Sequence, residues 1–539
     1  MKFSEYRAFK ELSKLAKMPP DLTKIDAIDA KRAEEMTVTS LSWKMLYATE
    51  RVNSDIQKGL CELAKEAKVF EKMKLMQNME VMNYVNNYES ERRKVGHTAI
   101  RNPSAENLSN DVKNASKAYQ TELKKLREFL AKTENFKNLI VIGIGGSYLG
   151  TKAIFNSLKS LAREDRNLYF ASNIDPDKIG DILEHVDLKE TLVAVISKSG
   201  GTLEIKAQEE LMRKEFEKRN LNCKDHFVMV TGKGSPMDQP ADFSEIFYMW
   251  DFIGGRYSVS SMVGALPICF MLGMNAWTDF LNGLHDMDLH ALNETDPLKN
   301  LPLWGALLGI WNRNFLNCDT FAVIPYAQGM DQYSLHLQQL FMESNGKKVS
   351  QEDGSFIDWD TCPVIWGTVG TEGQHSYYQG IHQGTKVVPI EFIGYRDSQL
   401  DCDEMIEGTT NQEKLNANMF AQAFALAKGQ RNPNHNKYFE GNRPSHCLVS
   451  ERLDPYSLGN LLAYHEHYVA FQGWVWGVNS FDQEGVQLGK VLANGIIDLY
   501  RERHEKGVIS KTKDNEAVLV FLKALDSIHE MRRNQKRSA

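Results

Sequence analysis

The sequence contains no Cys-x-x-Cys pair; its seven cysteines (61, 223, 269, 318, 362, 402 and 447) are scattered along 539 residues. An odd, sparse set fits reduced thiols in a cytosol better than disulfide staples or a zinc site. An excess of one charge is also missing. Lys and Arg number 64 against 71 Asp and Glu, a net charge of −7, which excludes a global polycation for nucleic acid. The first ten residues are charged throughout and lack the apolar core of a secretory leader, so a cytoplasmic location is expected. No fixed-period repeat or low-complexity tract is visible. One uncharged stretch, 257–278, could mislead a hydropathy plot. It contains Ser258, Ser260, Ser261, Pro267 and Asn275, and reads as a buried strand-turn-helix segment, not a membrane span.

What is present is the composition of an ordinary enzyme, 42% hydrophobic and 25% charged, in a chain long enough for two large domains or three to four average ones. Residues 1–100 carry helical spacing, many charges and few strand signals. From Asn102-Pro103 the rhythm changes. Short apolar runs at 139–142, 168–171, 192–196, 227–230 and 246–249 are separated by helical patterns, the signature of a parallel sheet of βαβ units. A second alternation follows residue 280, with strands expected at 321–325, 364–366 and 387–392 and helices at 331–342, 412–428 and 457–472. From Ser480 the chain reads as helical, opened by a capping box of Ser480 and Gln483. A basic, frayed tail is expected at 532–537.

Two loops carry anion chemistry. Strand 139–142 runs into Gly143-Ile144-Gly145-Gly146-Ser147-Tyr148-Leu149-Gly150 and a helix, where glycines admit a sharp turn and the helix N-terminus favours negative charge. The dinucleotide fingerprint fails at Tyr148 and the nucleotide P-loop fails at Thr151-Lys152, so nucleotides are disfavoured. Alone, the loop is equally a turn without a ligand. Strand 192–196 then ends in Ser197-Lys198-Ser199-Gly200-Gly201-Thr202, three hydroxyls and an ammonium at the same sheet edge. That cluster suits a phosphate monoester, at ~1.5–3 kcal/mol for each charge-assisted hydrogen bond. The pair of loops resembles the sugar-isomerase (SIS) domain, which implies a phosphosugar ligand.

Three further segments could move a proton. In Gly254-Gly255-Arg256 the glycines let a fixed cation approach a ligand, although such an Arg in isolation more often pairs with a surface acid. Gln339 and Glu343 share a helical face, and a carboxylate at a helix end beside apolar neighbours can serve as a general base; alone, it is more often simply solvated. In 473–490, Gln483, Val486 or Gln487, and Lys490 recur at helical spacing. His465-Glu466-His467 is the best metal candidate, but residues two apart on a helix face different ways, so no metal or other cofactor is expected. His336 shares the face of Gln339 and Glu343 and reads as structural.

Taken together, 251–264, 342–347, Gly373-Gln374-His375 and 473–490 closely resemble the signatures of the phosphoglucose isomerase family. The resemblance implies an α/β fold of two αβα SIS-type sandwiches with mainly parallel sheets: 1–102 an N-terminal helical region packing on the larger domain, 103–270 the smaller sandwich, 271–485 the larger one, and 486–539 a helical arm. It implies isomerisation of glucose 6-phosphate and fructose 6-phosphate through a cis-enediol without a metal. Gly146, Ser147, Ser197, Lys198, Ser199 and Thr202 would hold the phosphate and Gln339 would position the sugar. His375 and Lys490 would assist ring opening, Glu343 would carry the proton between C2 and C1, and Arg256 would offset the enediolate charge. It further implies a homodimer in which the partner supplies the histidine matching His375. The alternatives are a non-catalytic SIS-type phosphosugar regulator, which needs the loops but not the four catalytic residues, and an aminating isomerase, which needs an N-terminal cysteine nucleophile where this chain's first cysteine is Cys61. Many family members place an aromatic residue or Thr at Gly200-Gly201 and Asp at Tyr148; the glycine pair is expected to enlarge or loosen the loop.

Overall fold

The computed structural model describes residues 2–101, 108–509, 512 and 515–538, with the backbone alone for 526 and 529–538. The expected boundary at Asn102-Pro103 lies outside the described residues. The chain divides into two units, Met1–Asp482 and Gln483–Ala539.

The first unit holds two α/β sheets. In the smaller, five parallel strands lie in the order Asn167–Ala171, Asn138–Ile142, Thr191–Ser197, Phe227–Gly232, Glu245–Met249. Two of the three interior strands, Asn138–Ile142 and Thr191–Ser197, are buried along their whole length, as continuous apolar runs require. All five match the expected apolar runs to within a residue or two. In the larger sheet, Ser445–Ser450, Ile390–Tyr395, Thr320–Pro325 and Val364–Trp366 are parallel. The strand expected at 387–392 starts later, at Ile390, because Pro389 has no N–H for the ladder.

Residues 1–100 are not purely helical, which corrects the expectation of few strands. Thr37–Ser40 and Trp43–Leu46 form an antiparallel hairpin that completes the larger sheet by pairing with Ser445–Ser450. These are four-residue strands, too short for their alternation to stand out from helical spacing.

The uncharged stretch becomes the tight turn Gly255–Tyr257 and the start of helix Met262–Asn293, with no strand. The helix kinks at Gly273 (φ 84°). The segment Gly255–Asn293 is long and apolar enough to cross a membrane, yet 72% of its most apolar window is buried within this unit, as for a core helix. It crosses the buried helix Pro455–Trp476 at two glycines. A Cβ on Gly283 would lie 2.1 Å from Tyr456 O and one on Gly459 2.2 Å from Phe280 O, so the backbones could not otherwise approach.

In the second unit, helix Gln487–Lys506 ends at Gly507 in the left-handed conformation (φ 74°), and a further helix spans Glu516–Ser538. Residues 532–537, expected to fray, follow that helical backbone. The expected capping box does not open this segment. Ser480 is buried and its hydroxyl donates to Asn345 Oδ1 at 2.6 Å, an acceptor that no water can serve, while the helix itself begins at Gln487.

Candidate active site

The two anion loops leave neighbouring strands of the smaller sheet, where Ile142 pairs with Val195, and so emerge side by side at the carboxyl edge. Gly145 adopts φ 56°. A Cβ on Gly146 would fall 2.3 Å from the Gly255 carbonyl, so the first loop and the Gly254-Gly255-Arg256 turn touch backbone to backbone. Ser258 Oγ donates to Gly146 O at 3.2 Å and fixes that contact. Ser147 is half-buried at the end of the turn, where helix Leu149–Leu158 begins.

In the second loop, Ser197 Oγ accepts the Gly200 N–H at 3.2 Å and Ser199 Oγ accepts the Gly201 N–H at 3.3 Å. Thr202 occupies the N-cap of helix Leu203–Lys218 without using its side chain as a cap, which leaves that hydroxyl and the first-turn N–H groups for an anion. Gly200 has φ 61° and its Cβ would meet Met237 N at 3.0 Å, so glycine tightens the loop there; at Gly201 a Cβ would meet no atom closer than 3.9 Å. The expectation of a looser loop thus applies to Gly201 and fails at Gly200. Lys198 also departs from its expected place. Its ammonium donates to the carbonyls of Asp251 (3.1 Å) and Ile253 (2.9 Å), and burial pulls it down to about 8. Two of its three protons brace the loop against the Arg256 turn, because the Asp251 and Ile253 carbonyls are the acceptors that the ammonium meets as it is buried.

Arg256 is almost wholly buried. Its Nε donates to Ser344 Oγ (2.5 Å) and its Nη2 to the carbonyls of Ser480 (2.6 Å) and Asp482 (2.9 Å). Nη1 has no acceptor in hydrogen-bonding geometry and lies 3.3 Å from Glu343 Oε2. The helix expected at 331–342 is α-helical over Tyr333–Gln338 and widens to a π-turn over Gln339–Glu343, a form often found at functional sites. There Gln339 Nε2 donates to Glu343 Oε2 at 3.1 Å, and a Cβ on Gly145 would meet that same nitrogen at 3.5 Å. Glu343, Gln339, Arg256 and the first loop therefore converge. The carboxylate is one-fifth exposed, reachable by a ligand yet held between an amide donor and a guanidinium. A base so placed can take a proton while Nη1 meets negative charge on an adjoining oxygen.

Of the other two expected catalytic residues, His375 is not joined to this cluster within its unit. His375 is exposed at the end of helix Gly370–Gln374, and no hydrogen bond or ion pair joins it to Arg256, Gln339 or Glu343 within the chain. Lys490 is exposed on helix Gln487–Lys506 of the second unit. His336 is buried beneath the first loop, where a Cβ on Gly150 would meet its Cε1 at 3.2 Å; neither ring nitrogen has a partner and burial pulls it down to about 4. The neutral ring packs as a structural residue. His465 faces Glu391, Glu466 pairs with Arg101 and His467 with Asp288. Among the described residues no three His, Cys, Asp or Glu side chains converge as a metal site. Ser344, Lys347 and Asp482, which frame the carboxylate and the guanidinium, had no assigned role in the sequence reading. Their signal was adjacency to Glu343 and Ser480, within segments already marked.

Two mainly parallel sheets with glycine-hydroxyl loops packed on an Arg–Glu pair define a phosphosugar-type α/β protein. The phosphoglucose isomerase family model matches residues 46–515, and the chain belongs to that family. It is similar to the glucose-6-phosphate isomerases of Protochlamydia amoebophila, 46% identical over 97% of both chains, and of Chlamydia caviae, 46% identical over 94% of this chain and 96% of the relative. The crystal structure of a glucose-6-phosphate isomerase from Chlamydia trachomatis superposes with a TM-score of 0.93 at 42% identity, covering 97% of this chain and all of that one.

Proposed function

We propose that the protein is a glucose-6-phosphate isomerase, which interconverts glucose 6-phosphate and fructose 6-phosphate in glycolysis and gluconeogenesis. The observation that carries the mechanism is the Glu343 carboxylate, 3.3 Å from a buried guanidinium nitrogen with no acceptor of its own and beside two anion loops. Family membership and near-full-length similarity to named isomerases support the same reading.

The phosphate is held by the first-turn N–H groups after Thr202, by the hydroxyls of Ser147, Ser199 and Thr202, and by the backbone at Gly146. With the sugar open, Glu343 takes the proton from C2 as electrons move onto the C1 carbonyl oxygen, giving a cis-enediolate. Arg256 Nη1 offsets that oxygen's charge. The oxygen takes up a proton, the C2 hydroxyl loses one and becomes the ketone, and Glu343 returns its proton to C1. No net oxidation occurs and no external electron acceptor enters. His375 and Lys490 assist ring opening. We assign the protein to the cytoplasm, and as a homodimer in which His375 serves the partner's site. The dimer is the part of this assignment that the structure bears on. Two features support this: His375 is exposed and unconnected to its own Glu343, and the second unit exposes Leu488, Val491, Leu492, Val520, Phe521 and Leu525. Apolar faces of this kind mark association surfaces.

The test is to follow deuterium from C2-labelled glucose 6-phosphate with purified protein. Partial retention at C1 with some washout to solvent is the expected result. Complete absence of turnover overturns the assignment, and full retention with no washout overturns the enediol route.

A further inference from the structure

Lys347 closes the frame around the reacting pair. Four acceptors surround its ammonium: the carbonyl oxygens of Glu343 (3.1 Å), Asn479 (3.2 Å) and Asp482 (3.0 Å), and Asp482 Oδ1 (2.6 Å). Both side chains are largely buried. The Asp482 carbonyl oxygen has a second donor, Arg256 Nη2 at 2.9 Å, so the lysine and the catalytic guanidinium are gauged against the same atom. Asp482 is itself fixed, because its Oδ2 accepts from Asn479 Nδ2 at 2.8 Å while that amide also donates to Asn83 Oδ1. The Glu343 turn is tied to this segment once more by the Ser480–Asn345 bond. The lysine thus reaches the Glu343 and Asp482 main chain, and none of these contacts uses the Glu343 carboxylate.

We propose that Lys347 and Asp482 form a positioning clamp that sets the Glu343–Arg256 separation for proton transfer without touching the sugar phosphate. The inference rests on the isomerase reading above. Misplacement of a catalytic group by an ångström costs about 10²-fold in rate, and the clamp holds both members of the pair.

The experiment compares full-length wild type, Lys347→Met, Asp482→Asn and the double variant for kcat, KM and thermal melting. Expected is a fall in kcat of about 10²-fold in Lys347→Met with KM within about twofold. The double variant should be little worse than the more damaged single, as for residues acting as a unit. If Lys347→Met does not fold, Asp482→Asn carries the same readouts, since it keeps the side chain's shape and removes the charge facing the ammonium. A wild type inactive on glucose 6-phosphate overturns the isomerase reading and the clamp with it. An active wild type whose variants keep their kcat, or lose it only in proportion to melted protein, overturns the clamp alone. So does a raised KM at unchanged kcat, which would place Lys347 in binding.

Discussion

Glu343 and Glu391 are both carboxylates held by nitrogen donors in the first unit, yet they are held differently. Glu391 is completely buried. Its two oxygens meet His446 Nε2 (3.1 Å), His465 Nε2 (2.7 Å) and Tyr464 Oη (2.9 Å), and His446 Nδ1 continues to Glu50 Oε1 (2.9 Å). Burial pushes the Glu391 carboxyl up, but the His465 and His446 rings more than reverse this and hold it at about 2. Glu343 is one-fifth exposed, and its guanidinium neighbour keeps an unbonded donor. The first network is closed and can only hold the fold. The second is left incomplete beside solvent, where a substrate oxygen can complete it. Unfilled hydrogen-bonding capacity at an accessible edge, more than charge itself, separates site from scaffold.

The strongest way to break this contrast is Glu343→Gln. Turnover should fall by about 10²–10⁴, the usual worth of a positioned acid–base group, with sugar-phosphate binding and the melting temperature retained. Near-normal kcat would remove Glu343 as the base. The same variant sharpens the dimer assignment. Mixed with His375→Ala under conditions of subunit exchange, it should regain roughly a quarter of wild-type activity, because hybrids carry one intact site. No recovery on mixing would mean that both residues serve the same subunit.

Glu391→Gln should show the opposite pattern. Removing one charge from a buried ionic network costs about 3–5 kcal/mol of stability, read by denaturant unfolding, while kcat per folded molecule stays within a few-fold. A stable variant with lost kcat would make this network part of the site. Next in size is Ser199→Ala combined with Thr202→Ala, which should raise KM by about tenfold or more through loss of charge-assisted hydrogen bonds. An unchanged KM would place the phosphate elsewhere.

The smaller sheet was legible because fully buried parallel strands appear as unbroken apolar runs between helical stretches. Arg256, Gln339 and Glu343 were legible as residue types in long motifs. The hairpin Thr37–Ser40 and Trp43–Leu46 was not, since it is short and finds its partner some four hundred residues away at Ser445–Ser450. Nor did sequence show that Lys198 turns to the Asp251 and Ile253 carbonyls, for a lysine beside hydroxyls looks the same whether it faces a ligand or a backbone. Ser480 was misread as a cap because its true partner, Asn345, is 135 residues away. Local pattern shows what a residue can do; which acceptor it meets is decided by packing.

The last effect is the one that probes the closed network most directly. Burial pulls His446 down, but hydrogen bonds to Glu391 and Glu50 prevail and raise it to about 9, above its ordinary 6.5. A group raised on folding contributes stability in full below pH 6.5 and loses it as pH climbs through 9. The loss between pH 7 and 9 should be on the order of 2 kcal/mol. Lys72 and Lys198, both pulled down to about 8 by burial, act in the reverse sense above pH 8, since the unfolded chain then binds the more protons. The stability profile of the whole protein therefore mixes the two, and the ring itself should be read through nitrogen-labelled histidine spectra assigned with His446→Gln. His446 should remain doubly protonated at pH 7 and titrate near 9, while His336, with no partner on either nitrogen, stays neutral until about pH 4. A neutral His446 at pH 7 would mean that its contact with Glu391 is not an ion pair, and the contrast with Glu343 would then rest more heavily on solvent access.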